Sequence, residues 1–255
     1  MALRPGLIDP FTFTTVRLAS GALALSLLAL AAASPATLAR AGRWRSAAAL
    51  FGYALAFSAA YVEIGAGVGA LLLFGSVQAT MLGWAIAAGQ RPSAREWVGL
   101  ALALAGLIGL LLPGLSAPAP RGAALMVAAG IAWGIYTLRG RDSEGPLVTT
   151  AGNFLLTVPM TTVLSLLALP MSHARPGGLA LAATSGAIAS GLGYTLWYAA
   201  LPALGATRAA IVQLTVPVLT AAAGVALLGE TVTPRLVVCG GAILCGVMLA
   251  IVRRR

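Results

Sequence analysis

Leu25-Ser26-Leu27-Leu28-Ala29-Leu30 returns unchanged as Leu164-Ser165-Leu166-Leu167-Ala168-Leu169, 139 residues further along the chain. Gly52-Tyr53-Ala54-Leu55 is answered by Gly193-Tyr194-Thr195-Leu196 at an offset of 141. The stretch from Gly65-Ala66 to Leu110 then runs without a gap against Gly205-Ala206 to Ala250 at 140, pairing Ala70 with Ala210, Thr80 with Thr220, Arg95 with Arg235, Val98 with Val238, Leu104 with Leu244 and Gly106 with Gly246. Apolar sequence of low complexity produces single matches by chance. A near-constant offset over three separate blocks does not arise that way, and it marks an internal duplication.

The duplicated unit is made for lipid. Of 255 residues, 60% are hydrophobic and 9% charged, with a mean hydropathy of +0.96. Soluble domains run near half apolar and a quarter charged, and no soluble fold of this length could hide so much apolar surface. A spanning helix needs about 20 mostly apolar residues. Nine such stretches are legible, at 12–33, 47–62, 67–88, 96–112, 121–138, 150–169, 178–200, 206–228 and 235–252. Pro, Gly, Ser and Arg punctuate the breaks, as at Ser34-Pro35, Gln90-Arg91-Pro92-Ser93 and Pro170 to Gly178. The first stretch is too long for a cleaved signal peptide.

The second repeat, 121–252, holds five of these spans, and the first, 1–115, holds four; the counterpart of 121–138 maps to positions before residue 1. An odd number of spans per repeat places the two copies in opposite orientations. The expected fold is therefore all-α: a polytopic membrane protein of two inverted repeats, with nine transmembrane helices.

The formal charge is +10, carried by sixteen Arg and no Lys. With the C-terminal Arg253-Arg254-Arg255 placed in the cytoplasm, alternation puts eleven Arg inside and four (Arg4, Arg121, Arg175 and Arg235) outside. That is the positive-inside pattern, and it removes nucleic acid as the explanation of the charge. Cys239 and Cys245 share one helix on different sides, His173 stands alone in a loop, and no metal-ligand spacing occurs, so neither metal nor cofactor is expected. The six acids, Asp9, Glu63, Glu96, Asp142, Glu144 and Glu230, are dispersed. A membrane-embedded enzyme would need them clustered, so an enzyme is not expected either.

Certain residues carry a likeness. The first half reads Ile64-Gly65-Ala66-Gly67-Val68-Gly69-Ala70, then Gly89-Gln90, Trp97-Val98-Gly99 and Leu104-Ala105-Gly106. The second reads Leu204-Gly205-Ala206-Thr207-Arg208-Ala209-Ala210, Pro217-Val218, Leu228-Gly229-Glu230 and Gly240 to Gly246. In these the chain resembles the drug/metabolite transporter superfamily, in particular its ten-helix group with two EamA-type repeats. It departs in lacking the first helix and in having Gln90 where the first repeat often has an acid. The resemblance implies a secondary carrier of the bacterial inner membrane, C-terminus cytoplasmic, a monomer or homodimer. Its partners would be the lipid bilayer and a small-molecule substrate, an amino acid, other metabolite or drug, exported by alternating access through a cavity between the repeats. The alternative is a non-transporting membrane scaffold or an inactive, truncated carrier.

Polar residues inside a membrane are costly and so become site candidates. Gln78 and Gln213 fall within spans, where they either face a substrate or hydrogen-bond between helices. Asn153 lies on 150–169 with Thr157, Thr161 and Thr162. Trp133 with Tyr136, and Tyr194 with Trp197, stand at i,i+3 and so share helix faces. Such aromatics either line a pathway or form an interfacial belt, the belt being the natural reading for Tyr136, Trp197 and Tyr198 near helix ends. Arg17, one and a half turns inside the first span, either attracts a substrate carboxylate or snorkels to the headgroups. Pro159 and Pro217 are hinge candidates, because each removes a backbone hydrogen bond in mid-span.

Overall fold

The computed structural model describes residues 3, 6–112, 117–141, 143, 145–229 and 231–252. The orientation and end-charge expectations on Arg4, Asp142, Glu144, Glu230 and Arg253 to Arg255 lie outside the described residues. Among the described residues the elements are helices: α1 Pro10–Leu30, α2 Pro35–Ala41, α3 Trp44–Glu63, α4 Ala66–Ala87, α5 Ala94–Leu111, α6 Pro120–Gly140, α7 Pro146–Ala168, α8 Pro176–Thr184, α9 Gly193–Val212, α10 Val216–Leu228 and α11 Pro234–Ile251. A π-helical segment, Ser185–Leu192, joins α8 to α9.

Eight runs of helix among the described residues are long and apolar enough to cross a bilayer. One of them, Pro176–Ala226, has 51 residues, more than twice what a crossing needs. It is broken at Gly205, whose φ of 69° and ψ of 172° leave the helical region, a conformation that glycine adopts without a Cβ penalty. The break falls between the expected spans 178–200 and 206–228. Leu167, Leu196 and Val238 are strongly exposed, as side chains on the lipid face of a membrane protein are.

Proline and capping signals set most helix starts. Pro10, Pro35, Pro120, Pro146, Pro176 and Pro234 each stand in the first turn, where a missing N–H costs nothing. Ser93 and Glu96 close a capping box on α5. At Ser34-Pro35 the expected break instead holds a short helix, α2, capped by the Ser34 hydroxyl.

The chain packs as two compact units, Met1–Ile64 with Ala119–Pro202, and Gly65–Pro118 with Ala203–Arg255. Each unit takes helices from both halves of the sequence. In the first, α1 packs on α7 and on the π-helical segment, and α3 packs on α6. The segment before α1 is clasped to the loop after α7: Ile8 bridges Ala174, and the N–H of Asp9 donates to the His173 carbonyl at 3.0 Å. The Asp9 carboxylate accepts from the N–H groups of Phe11, Thr12 and His173 at 3.0, 2.9 and 2.9 Å.

In the second unit α5 packs on α11. A Cβ on Gly99 would strike the Gly246 carbonyl, and one on Gly106 would lie 2.7 Å from the Cys239 carbonyl. Shifting the first pair by the 140-residue offset and exchanging partners gives the second pair: Gly99 becomes Cys239, and Gly246 becomes Gly106. The crossing thus follows the same two-fold relation as the sequence.

Gly246→Val places atoms against the Gly99 carbonyl and the Ala103 backbone, whereas a Cβ on Gly241 would have nothing within 4 Å. Overpacking costs about 1–3 kcal/mol. Gly246→Val should therefore lower the thermal midpoint of the detergent-solubilised protein by several degrees, and Gly241→Val should leave it unchanged. Asp9 supplies a pH test. Burial alone would push its pKa up, but the hydrogen bonds from Thr12, His173 and Phe11 outweigh this and hold it below the usual 3.8. A lowered folded pKa gives stability that is complete above the unfolded value of about 3.9 and lost as pH falls through the folded value. The thermal midpoints of wild type and Asp9→Asn, compared across pH, should converge only below about pH 4.

Candidate functional site

α1 carries one charged residue, Arg17, and it lies on the buried face. Its buried residues are Thr14, Arg17, Leu18, Gly21, Ala22, Leu25 and Ala29, the spacing of one helix face. That places a guanidinium on the packed side of the helix, about 10 Å from its start at the helical rise of about 1.5 Å per residue. Arg17 is only 7% exposed. It does not snorkel; that reading is overturned because its donors find partners inside the unit. Nε donates to Ser190 Oγ at 2.9 Å, and Nη2 donates to the hydroxyls of Tyr194 at 3.0 Å and Tyr53 at 3.4 Å. The Arg17 Cζ also stands 5.6 Å from the Tyr53 ring centre and 5.7 Å from that of Phe57, within cation–π range.

The local backbone is built around this contact. Ser190 belongs to the π-helical segment, whose wider turn changes the direction of the side chains that follow it. A Cβ on Gly186 would collide with the Arg17 carbonyl and with Ser20 Oγ, so only glycine lets the segment approach α1 this closely. Gly21 plays the reciprocal part against the Phe154 ring and the Gly186 carbonyl.

Rings extend from the guanidinium in a continuous series. Tyr61 meets Phe57 at 4.5 Å between ring centres, Phe57 meets Tyr53 at 5.5 Å, and Tyr53 meets Trp133 at 5.0 Å. Trp133 meets Tyr194 at 4.7 Å and Tyr136 at 5.9 Å, and Tyr136 meets Tyr198 edge-on at 5.3 Å. Phe154 closes on Tyr194 at 5.9 Å. Trp133 therefore sits between Tyr53 and Tyr194, the two tyrosines that the repeat makes equivalent. Tyr136 and Tyr198 are 1% and 2% exposed, which excludes an interfacial-belt role for them.

Of the candidates read from sequence, Arg17, Trp133, Tyr136 and Tyr194 come together here. Asn153 does something else: its Oδ1 accepts the Arg43 N–H at 2.9 Å, at the start of α3. It lines a cleft of about 380 Å³ with Arg43, Ser46, Thr149 and Arg139, whose Nε donates to Ser46 Oγ. Trp197 takes no part in the ring series among the described residues, and its Nε1 is buried without an acceptor there.

Gln78 and Gln213 lie in the second unit. Gln78 Nε2 donates to the Ala210 carbonyl at 2.7 Å, and Gln213 Nε2 to Met81 Sδ at 3.1 Å. Both amides tie one helix to another. Pro159 is inside α7. Pro217 is not in mid-helix: it stands in the first turn of α10, after a 3₁₀ turn at Gln213–Thr215. Glu96, besides capping α5, pairs with Arg208 at 3.0 Å in a second cleft. Glu63 pairs with the exposed Arg121 at 3.4 Å.

Tyr53, Phe57, Tyr61, Phe154 and Ser190 belong to the site without having been candidates from sequence. The signal for Tyr53 was present, because the match of Gly52-Tyr53 to Gly193-Tyr194 pairs it with a residue already singled out. Phe57 and Tyr61 follow it at i+4 and i+8 on the same helix face.

Helices of this length and apolarity are the architecture of a multi-pass membrane protein. The family model of the EamA-like transporter family matches residues 120–252, and the chain belongs to that family, which makes it a membrane transporter of the drug/metabolite type. An uncharacterized protein of Pseudomonas aeruginosa, PA1977, is 51% identical over 253 residues, spanning 99% of this chain and 88% of that protein. A solved crystal structure of a protein superimposes with a TM-score of 0.78 at 20% identity, covering 96% of this chain and 88% of that one. That likeness is one of fold.

Removing the Ser190 hydroxyl leaves a buried guanidinium N–H without its acceptor, which costs about 1–3 kcal/mol. Ser190→Ala should lower the thermal midpoint measurably. Ser26→Ala, which deletes a buried hydroxyl that has no partner among the described residues, should be neutral or stabilising.

Proposed function

We propose that this chain is a secondary-active carrier that exports small organic metabolites, amino acids and drugs among them, across the bacterial inner membrane by alternating access. One observation carries the reading: the buried polar site is assembled from both sequence repeats. Arg17 and Tyr53 come from the first, and Ser190 and Tyr194 from the second. Carriers with inverted repeats place their solute where the repeats meet and rock one against the other. The 140-residue offset, the symmetric crossing of α5 and α11, and the interrupted helices at Ser185–Leu192 and Gly205 support it. The Arg distribution supports a cytoplasmic C-terminus.

The test is flux in proteoliposomes loaded with a mixed panel of labelled amino acids, organic acids and amphiphilic drugs. At least one solute should exchange faster than across empty liposomes. Trp133→Ala should reduce that exchange about tenfold, the equivalent of ~1.5 kcal/mol from a lost aromatic pair. A protein that is folded and oriented but moves nothing from the panel would be a scaffold and not a carrier.

A further inference from the structure

We infer that Arg17 is the anchor for a carboxylate, and that the solute handled at this site is an apolar or aromatic monocarboxylate. The inference rests on the carrier reading above and adds the substrate class to it.

Guanidinium carries five N–H donors. Three are used, one by Ser190 and two by the tyrosine hydroxyls. The two on Nη1 make no hydrogen bond among the described residues, Nη1 is not one of the fully buried polar atoms left without a partner there and so is open to an incoming acceptor, and none of the ion pairs there involves Arg17. All three acceptors are neutral hydroxyls. They satisfy hydrogen-bond geometry but supply no counter-charge, and a buried charge without a partner ion is expensive. A carboxylate at Nη1 would provide both missing elements, acceptors for the remaining donors and the opposite charge, through a charge-assisted bond of the strong class.

The surroundings specify the rest of the molecule. The Tyr53 and Phe57 rings stand beside the guanidinium, and Trp133 joins Tyr53 to Tyr194 in ring contact. Apolar walls with one fixed polar group are how a small-molecule site both binds and orients its ligand. No Asp or Glu joins Arg17 in a hydrogen bond or ion pair among the described residues, so the site offers a substrate ammonium no counter-ion. A dianion such as a phosphate ester would need a second buried cation. Arg43 and Arg139 instead line the cleft at the start of α3. One fixed cation and a set of rings match a single negative charge on an apolar body.

The experiment uses purified full-length protein in detergent and three isosteric probes: benzoate, benzyl alcohol and benzylamine, each at about 10 mM, above the ~1 mM upper end of ordinary substrate affinities. Thermal midpoint and Trp fluorescence report binding. Benzoate should shift both, and the alcohol and amine should not. Arg17→Gln should weaken benzoate binding about 10- to 100-fold, as expected for loss of a charge-assisted bond. Arg17→Lys, which keeps the charge without the planar fork, should fall between.

The comparison of probes on wild type stands even where a variant fails to fold. A benzoate response no larger than that of benzyl alcohol, or one that survives Arg17→Gln, overturns the inference. The two readings fail separately. Benzoate binding without benzoate flux in proteoliposomes would remove the carrier reading and leave the carboxylate site. Flux of other solutes, unaffected by benzoate, would leave the carrier and remove the carboxylate site.

Discussion

A permanent positive charge on the packed face of an apolar helix is the constraint around which the first unit is built. Arg17 cannot shed its proton at any pH the protein meets, and it lies on the buried face of α1. The unit answers with three hydroxyl oxygens, two aromatic faces and a backbone that comes close enough to deliver them. Gly186 and Gly21 are consequences of that demand, because a methyl at either would push α1 away from the π-helical segment. The π-helical turn is another, since it carries Ser190 to Nε.

The duplication explains why two tyrosines were available. Tyr53 and Tyr194 occupy equivalent positions in the repeats, and they reach the same guanidinium nitrogen and the same Trp133 ring from two sides. The charge is not duplicated. At an offset of 139 the counterpart of Arg17 is Leu156. The site is thus nearly symmetric in its rings and hydroxyls and asymmetric in its cation.

The architecture was legible because membrane helices are written in length and composition, and because the repeat fixed their pairing. The nine spans, the break near residue 205 and the inverted order all follow from apolar runs and one offset. Punctuation alone hides short helices: the expected break at Ser34-Pro35 also caps and starts α2. What the sequence could not show was depth. An Arg inside the first span is compatible with snorkelling or with burial, and the choice depends on which helix packs against its face. The same holds for Tyr136 and Tyr198, whose distance from the helix ends pointed to the headgroups while tertiary contact buries them. Gln78 and Gln213 look alike in sequence to a substrate-facing amide. Only the facing carbonyl of Ala210 and the sulfur of Met81 identify them as ties between helices.

The absence of a carboxylate partner for Arg17 among the described residues also bears on how such a site can cycle. Carriers that bind through a carboxylate can release their load by protonating it. Here the binding group is a guanidinium, which keeps its proton. For the anion inferred above, the levers the protein itself supplies are geometry and hydration: the spacing of the hydroxyls around the guanidinium, or the entry of water that competes for Nη1. Both are governed by the same close approach of α1 to the π-helical segment.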